Sequence, residues 1–211
     1  MLLSGGIDSA TALYLTKKKH GVRALTFEYR GIAGSELAAA KAIASRAGVL
    51  EHRVVRLPDL REAADIPRFR PSGLPPSYIP LRNGIFYAFA ASYAEETGAE
   101  TVVGGHNRDD MKVFADVSPE FFSSLQRAFR SGSRILRKNR LEIARPLKRL
   151  GKPAVIRLAA SLGVPFELTW SCHRDSEEHC WRCDGCLTRV KCFEEAGIVD
   201  PLAGSKLGKI T

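Results

Sequence analysis

The sequence predicts an α/β protein with a doubly wound parallel sheet and a small C-terminal zinc-binding appendage. Apolar runs alternate with helical segments of about 10 to 15 residues, a glycine-rich turn joins the first run to the first helix, and all five cysteines fall within the last 40 residues. Strands that alternate with helices form parallel sheets covered on both faces. We therefore expect one α/β domain over residues 1–168 and the appendage, packed on it, over residues 169–211.

The first half of the chain contains two β-α-β units. Residues 1–3 are a short apolar run, and the helical pattern of residues 9–20 follows it. Residues 22–27 and 50–55 have the composition of strands, and an Ala-rich helix is predicted between them over residues 36–48. These segments predict the first strands of a parallel sheet and the helices that connect them.

The second half continues the alternation. Helices are predicted over residues 83–98, 118–137 and 153–162, and strands over residues 101–105 and 141–147. The cysteine-rich tail after residue 168 is too short for a core of its own, and a short helix through residue 195 follows it.

Length and charge restrict the class of function. A chain of 211 residues that is 45% hydrophobic can bury a core without disulfides. Its longest nearly apolar stretch, residues 84–94, is shorter than the roughly 20 residues of a membrane span, and no basic and apolar leader precedes Ser4. We expect a cytoplasmic protein with no membrane segment. The net charge of +9 predicts an anionic partner, either a phosphate ester or nucleic acid.

The strongest local motif is SGGIDS at residues 4–9, between a strand and a helix. Its two glycines let backbone N–H groups surround an anion, the helix N-terminus adds positive potential, and Ser4 and Ser9 add hydroxyl donors. It lacks the lysine of a Walker loop and the third glycine of a dinucleotide fingerprint. We interpret it as a phosphate-binding loop in which Asp8 faces Mg²⁺. A simple Gly-Gly turn capped by Asp8 or Ser9 is the alternative.

Cysteine spacing predicts a metal centre. Two C-x-x-C steps bring thiolates to one ion, and four protein ligands indicate structural zinc. The predicted ligands are Cys172, Cys180, Cys183 and Cys186. His173 and His179 flank them, and either could replace one sulfur. Cys192 falls in the following helix and is expected to be a packed thiol.

Several motifs in family order resemble the QueC family of PP-loop ATP pyrophosphatases. They include LLSGGIDSATAL, NGIFYAFAASYAEETGAETVVGGHNRDD, SPEFF, TWSC with its C-x-x-C-x-x-C continuation, and R-x-x-x-F-x-x-A-G-x-x-D-P, and they span nearly the whole chain. The resemblance implies a Rossmann-like fold of the HUP type that uses ATP and Mg²⁺. It also implies a C–N ligase that adenylates 7-carboxy-7-deazaguanine and converts it with ammonia to the nitrile.

Candidate site residues come from the motifs and from the resemblance. The predicted ATP-binding residues are Ser4, Gly5, Gly6, Ile7, Asp8, Ser9, Thr26 and Phe27. The predicted catalytic residues are Asp8, Arg82, Asp109 and Lys148, and the predicted substrate-binding residues are Arg82, Asn83, His106, Asp116 and Glu120. A charged helix start is the alternative for the Arg82–Asn83 pair, and a solvated loop is the alternative for His106.

Two departures from the family pattern leave the acceptor open. The usual Gln and His are absent from residues 28–33, and the usual Cys and Arg are replaced by Val117 and Ser118. One alternative is therefore an amide-forming relative that joins the acid to another amine or to a protein. A tRNA-modifying PP-loop thiolase is not favoured, because the α/β core lacks cysteine. A zinc-ribbon nucleic-acid-binding module is the non-enzyme alternative, against which the intact SGGIDS motif argues.

Residues 127–157 contain 11 basic residues and one acid. This tract predicts a solvated or partner-binding basic face, a contribution to nucleotide or substrate binding, or an RNA surface. Within this tract, Lys148 directly follows a predicted strand. This position is the reason why Lys148 is among the predicted catalytic residues. We also expect a homodimer.

Overall fold

The computed structural model describes residues 1–69, 72–73 and 78–203. Its strands are β1 (Arg23–Tyr29), β2 (Glu51–Leu57), β3 (Thr101–Val103) and β4 (Glu142–Ala144). Strand β1 pairs with β2 and β3 pairs with β4, both in parallel. The predicted strands are thus present, although β4 is shorter than the apolar pattern of residues 141–147 indicated.

The extended segment at residues 1–3 joins the two strand pairs into one sheet. The Leu2 amide donates to the Val103 carbonyl at 2.9 Å, while on the other side Leu25 donates to Met1 and Leu3 donates to Leu25, each at 2.8 Å. The order is therefore β2, β1, residues 1–3, β3, β4. The chain winds outward in both directions from its first segment, which confirms the doubly wound parallel sheet.

Seven α-helices connect and follow the strands in the described part of the chain. They are α1 (Ile7–Lys17), α2 (Gly34–Ala47), α3 (Arg82–Thr97), α4 (Pro119–Gly132), α5 (Arg134–Lys138), α6 (Lys152–Ser161) and α7 (Asp184–Ala196). The single helix predicted over residues 118–137 is wrong, because it breaks at Ser133. The Ser133 hydroxyl accepts a hydrogen bond from the Leu136 amide at 3.1 Å and so caps a new helix.

Two apolar clusters cover the two faces of the sheet. One contains Leu13 of α1, Ile43 of α2 and Ile156 of α6. The other is built around Tyr87 of α3 and Phe122 of α4, whose rings meet edge to face at 4.9 Å. Each face of the sheet is thus buried by helices, as a parallel sheet requires.

The cysteine-rich tail is anchored in the first of these clusters. Phe193 of α7 packs edge to face on Phe166 at 4.9 Å. The Arg189 guanidinium is buried, pairs with Asp200 at 2.6 Å and donates to the Thr169 hydroxyl at 2.9 Å. The tail therefore packs directly on the α/β body, while the domain boundary at residue 168 remains a prediction. Each helix in the described residues is too short or too polar to cross a membrane.

Candidate active site and metal centre

The phosphate-binding loop is held in a conformation that requires glycine at its first turn. Gly5 has a φ of 88°, and a Cβ there would lie 2.5 Å from the Glu36 carbonyl oxygen and 2.9 Å from the Ala40 nitrogen. A side chain would therefore strain the backbone and collide with helix α2. The fit of the loop against α2 depends on this residue.

Hydroxyl contacts fix the rest of the loop. The Ser4 and Ser9 oxygens lie 3.1 Å apart, and the Ser9 hydroxyl donates to the Gly6 carbonyl at 3.0 Å. No side chain among the described residues caps α1, so the N–H groups of its first turn are available to an anion. Gly105, after β3, allows this turn to come close, since a Cβ there would lie 2.8 Å from the Ser9 Cα.

A cavity of about 290 Å³ opens beside the loop, at the carboxyl ends of β1 and β3. Eight of the predicted site residues line it: Ser4, Asp8, Ser9, Thr26, Phe27, Arg82, Asn83 and His106. Its lining also includes Asp110, Tyr29, Glu36, Phe86 and Phe114, none of which the motifs had indicated as site residues. The structure therefore brings the loop and the predicted substrate residues into one space.

A pair of carboxylates stands at the phosphate end of this cavity. The buried Asn107 side chain donates to Asp8 Oδ2 at 2.9 Å, and its backbone N–H donates to Asp110 Oδ2 at 3.0 Å. One residue thus positions both acids. Two carboxylates beside an anion-binding loop are a donor set that fits Mg²⁺, which takes one or two carboxylates together with phosphate oxygens.

The pKa of Asp8 is raised to about 6, mainly by burial and to a smaller extent by the negative charges of Asp110 and Asp109. Lys152 and the Asn107 hydrogen bond act in the opposite direction. A bound cation would restore the ionised form. The electrostatics of Asp8 therefore agree with a cation-binding role.

The raised pKa makes a testable prediction about stability. Between about pH 4 and 6 the folded chain binds more protons at Asp8 than the unfolded chain does, so the free energy of unfolding falls as pH rises through this window. Above it, the ionised group costs up to about 3 kcal/mol. We expect Asp8→Asn, without ligands, to be more stable than the parent by about 1 to 3 kcal/mol near pH 7.5, and equally stable near pH 4. Urea unfolding at both pH values measures this.

Asp109→Asn is the matched control, and the opposite sign is expected. The Lys152 amide and the Lys112 ammonium lower the pKa of Asp109. Its ionised form therefore stabilises the fold above the unfolded pKa, and this stabilisation is lost as pH falls. If Asp8→Asn were no more stable than the parent near pH 7.5, the unfavourable burial of the Asp8 charge would be disproved.

Aromatic side chains form the other end of the cavity. Phe27 and Phe86 stack in parallel with centroids 4.0 Å apart, and Tyr29 lies 5.9 Å from Phe86. Ile32 and Phe114 complete this apolar part of the lining. The stacked pair leaves no gap between its own rings, but a planar heterocycle fits against an aromatic surface of this kind by stacking.

His106 contributes a neutral imidazole to the cavity. Its Nε2 atom is buried and has no partner within the described residues, and burial lowers the pKa of the ring to about 4. The ring packs on Tyr87 and Phe122. His106 therefore does not lie in a solvated loop, and its unpaired nitrogen is available to a ligand.

The remaining predicted site residues lie outside the cavity lining. Asp109 accepts hydrogen bonds from the Lys152 amide and the Lys112 ammonium, each at 3.1 Å, so it holds the start of α6. Asp116 accepts from the backbone N–H of Asn83 at 3.0 Å and thereby caps α3. Glu120 and Lys148 are exposed to solvent.

The four predicted zinc ligands converge. Their sulfurs all lie within 4.8 Å of one another, and the Cys180–Cys186 and Cys172–Cys183 pairs are each 3.9 Å apart. Tetrahedral zinc with Zn–S distances of about 2.3 Å requires sulfurs roughly 3.8 Å apart. The cluster therefore fits one four-coordinate zinc ion.

Neither histidine belongs to this cluster. His179 lies between Trp170 and Trp181, with ring centroids 4.3 and 5.2 Å away, and its Nε2 accepts a hydrogen bond from the Ser171 amide at 3.1 Å. The four cysteines form the cluster without His173. Cys192 is buried in the apolar cluster on α7, as predicted for a packed thiol.

The zinc segment is tied to the phosphate-binding loop. The Trp170 amide donates to the Gly5 carbonyl at 3.0 Å. Asp175 accepts bonds from the amide and the hydroxyl of Ser35 at the start of α2, each at 3.3 Å. The metal centre therefore supports both elements that shape the loop.

Comparison with known proteins shows which family the chain belongs to. The family model described as "Queuosine biosynthesis protein QueC" matches residues 1–197. The chain belongs to the QueC family. It is 38% identical over 218 residues to a 7-cyano-7-deazaguanine synthase of Nostoc punctiforme, covering 96% of this chain and 97% of that protein. A second QueC-family relative, the 7-cyano-7-deazaguanine synthase of Thermoplasma volcanium, is 37% identical over 220 residues, with coverage of 98% and 90%.

A solved structure supports the fold. The NMN synthetase of Francisella tularensis superposes with a TM-score of 0.52 at 20% identity, over 94% of this chain and 71% of that one. The QueC-family chain thus has the Rossmann-like α/β architecture that its motifs imply.

Proposed function

We propose that this QueC-family chain is an ATP-dependent 7-cyano-7-deazaguanine synthase. The observation that carries the proposal is the single space in which a phosphate-binding loop, a carboxylate pair and an aromatic surface meet. The substrates are 7-carboxy-7-deazaguanine, ATP and ammonia. The products are the nitrile, AMP and pyrophosphate.

ATP binds across the loop in this proposal. The first-turn N–H groups of α1 and the hydroxyls of Ser4 and Ser9 hold its phosphates. Thr26 contributes through its backbone, because its hydroxyl already bonds the Leu3 carbonyl at 2.7 Å and lies 2.8 Å from His52 Nε2. Phe27 supports the nucleoside beside it.

Asp8 and Asp110 hold Mg²⁺ in this proposal. When bound, the ion neutralises charge on the departing pyrophosphate. Asn107 keeps the two carboxylates in position. Asp109, which the sequence had placed among the catalytic residues, instead supports the start of α6.

The second substrate occupies the aromatic part of the cavity, where Arg82 binds its carboxylate, and Asn83 and His106 contact its polar atoms. A carboxylate oxygen attacks the α-phosphorus of ATP and pyrophosphate leaves. Ammonia then attacks the acyl carbon, AMP leaves and a proton is lost, which gives the amide. The amide oxygen then attacks the α-phosphorus of a second ATP and pyrophosphate leaves. Loss of AMP and of the two N–H protons gives the nitrile.

The deciding assay supplies ATP, the 7-carboxy acid and ammonium, and follows AMP, pyrophosphate and the nitrile by mass. We expect about two AMP for each nitrile, because each of the two C–O bonds is activated once. Release of AMP with only the amide would support the amide-forming relative. No acid-dependent AMP would refute both. The homodimer is a further part of the proposal, and light scattering measures it.

A further inference from the structure

Glu36 is an acid in the cavity that the proposed chemistry does not use. It lies in the first turn of α2, and its side chain shares the cavity lining with Tyr29, Ile32 and Arg82. Its backbone oxygen is the atom that a Cβ on Gly5 would strike. The helix turn that carries Glu36 is therefore packed directly on the phosphate-binding loop.

The carboxyl group of Glu36 lacks a partner. Within residues 1–69, 72–73 and 78–203, no donor makes a hydrogen bond or an ion pair with it. Burial raises its pKa to about 7, and the positive charge of Arg82 only partly opposes this. A desolvated acid without a donor is costly, so a ligand that supplies donors would recover that cost.

The hydrogen-bonding groups along the edge of a purine-type ring decide whether that ring can supply donors to Glu36. A guanine-type ring presents two adjacent donors, N1–H and the 2-amino group, which match the two oxygens of a carboxylate. An adenine ring presents its 6-amino group beside N1, a bare acceptor that a carboxylate repels. Glu36 therefore complements the deazaguanine acid and not the base of ATP.

We propose that Glu36 binds the N1–H and 2-amino edge of the deazaguanine ring and thereby sets the specificity for the second substrate. The ring then stacks on the aromatic surface of Phe86 and Tyr29, and its carboxylate faces Arg82. This inference rests on the proposed function and adds to it the residue that recognises the base.

The test compares 7-carboxy-7-deazaguanine with its analogue that lacks the 2-amino group. The parent chain is expected to prefer the guanine-type acid by about 100-fold in kcat/KM, because the analogue keeps N1–H but leaves the second oxygen of the Glu36 carboxylate without a donor. Glu36→Gln should raise the KM for the guanine-type acid about 10- to 100-fold. The KM for ATP should change less than about threefold. The kinetics with the analogue should change less than those with the guanine-type acid, because the amide oxygen of glutamine still accepts its N1–H. The preference of the Glu36→Gln variant for the guanine-type acid over the analogue would then largely disappear.

Glu62→Gln is the matched control. Glu62 interacts electrostatically with Arg82 but does not line the cavity, so both KM values should stay unchanged. Glu36→Asp keeps the charge on a shorter side chain and should give an intermediate preference. Melting curves of all variants separate loss of recognition from loss of fold. A Glu36→Gln enzyme that keeps the parent preference, or in which only the KM for ATP rises, would overturn the inference.

Binding without turnover separates this inference from the proposed function. Titration calorimetry with 7-deazaguanine, and with its analogue lacking the 2-amino group, needs no ATP. Tighter binding of 7-deazaguanine that Glu36→Gln abolishes supports the inference even if the parent chain forms no nitrile. Equal binding of both bases by the parent chain overturns it even if the nitrile forms.

Discussion

Asp8→Asn is expected to lower the rate of AMP release that depends on the 7-carboxy substrate by about 100- to 1,000-fold or more, while the chain stays folded. The substitution keeps the size of the side chain and its position beside Asn107, but it removes one of the two charges that face the phosphate end of the cavity. Negative charge develops on the departing pyrophosphate during adenylation. Loss of the cation site should therefore raise the energy of the transition state more than it weakens ATP binding. Single-turnover measurements of AMP at saturating ATP test this.

The neighbouring acids provide the sharpest control. Asp110 lines the cavity, whereas Asp109 bonds Lys112 and the amide of Lys152. Asp110→Asn should therefore lose activity as Asp8→Asn does, and raising Mg²⁺ should partly restore it. Asp109→Asn should keep AMP release within about tenfold of the parent. Equal activity of the parent and Asp8→Asn, or a greater loss in Asp109→Asn than in Asp110→Asn, would disprove this assignment of the two acids.

The order of helices and strands was predictable from the sequence, because burial gives each type of element its own spacing of apolar residues. Parallel strands buried on both faces appear as short apolar runs, and covering helices appear as amphipathic segments between them. The break at Ser133 carried a signal as well, since a serine three residues before Leu136 is a typical helix cap. The amphipathic pattern continues across Ser133, so this pattern alone predicts a single helix.

The site was predictable only where it is local. SGGIDS folds as a unit, so its residues could be assigned from the motif alone. Which of Asp109 and Asp110 lines the cavity depends on one short 3₁₀ turn, Asp110–Lys112. No periodicity in the sequence reveals how this turn is oriented. Asp116 resembled a substrate residue but caps a helix 33 residues earlier in the chain. Glu36 belongs to an Ala-rich helix, and only the packing of that helix on Gly5 brings it to the cavity.

Loss of the zinc ion is expected to destabilise the whole protein. Cys183→Ser should reduce bound zinc from about one ion per chain to well below one, and should lower the melting temperature by about 10 °C or more. Zinc contributes its binding free energy to folding, and three remaining thiolates close to one another repel when ionised. Metal analysis and calorimetry measure both effects. Cys192→Ala is the matched control, since it removes a buried thiol of α7, the helix that follows Cys183, and this thiol lies outside the cluster.

Zinc removal should also weaken nucleotide binding, which distinguishes this site from an independent tail. The segment before the first ligand bonds Gly5 through the Trp170 amide, and the segment after it bonds Ser35 through Asp175. Release of these contacts frees the loop to leave its phosphate-binding shape, so we expect the Kd for ATP to rise at least about tenfold in Cys183→Ser at a temperature where it is still folded. Cys192→Ala should keep both zinc and the parent Kd while it loses about 1 to 2 kcal/mol of stability. A metal-free chain that melts like the parent would contradict the structural role of zinc, whereas a lower melting temperature with an unchanged Kd would show that the loop holds its shape without support from the metal centre.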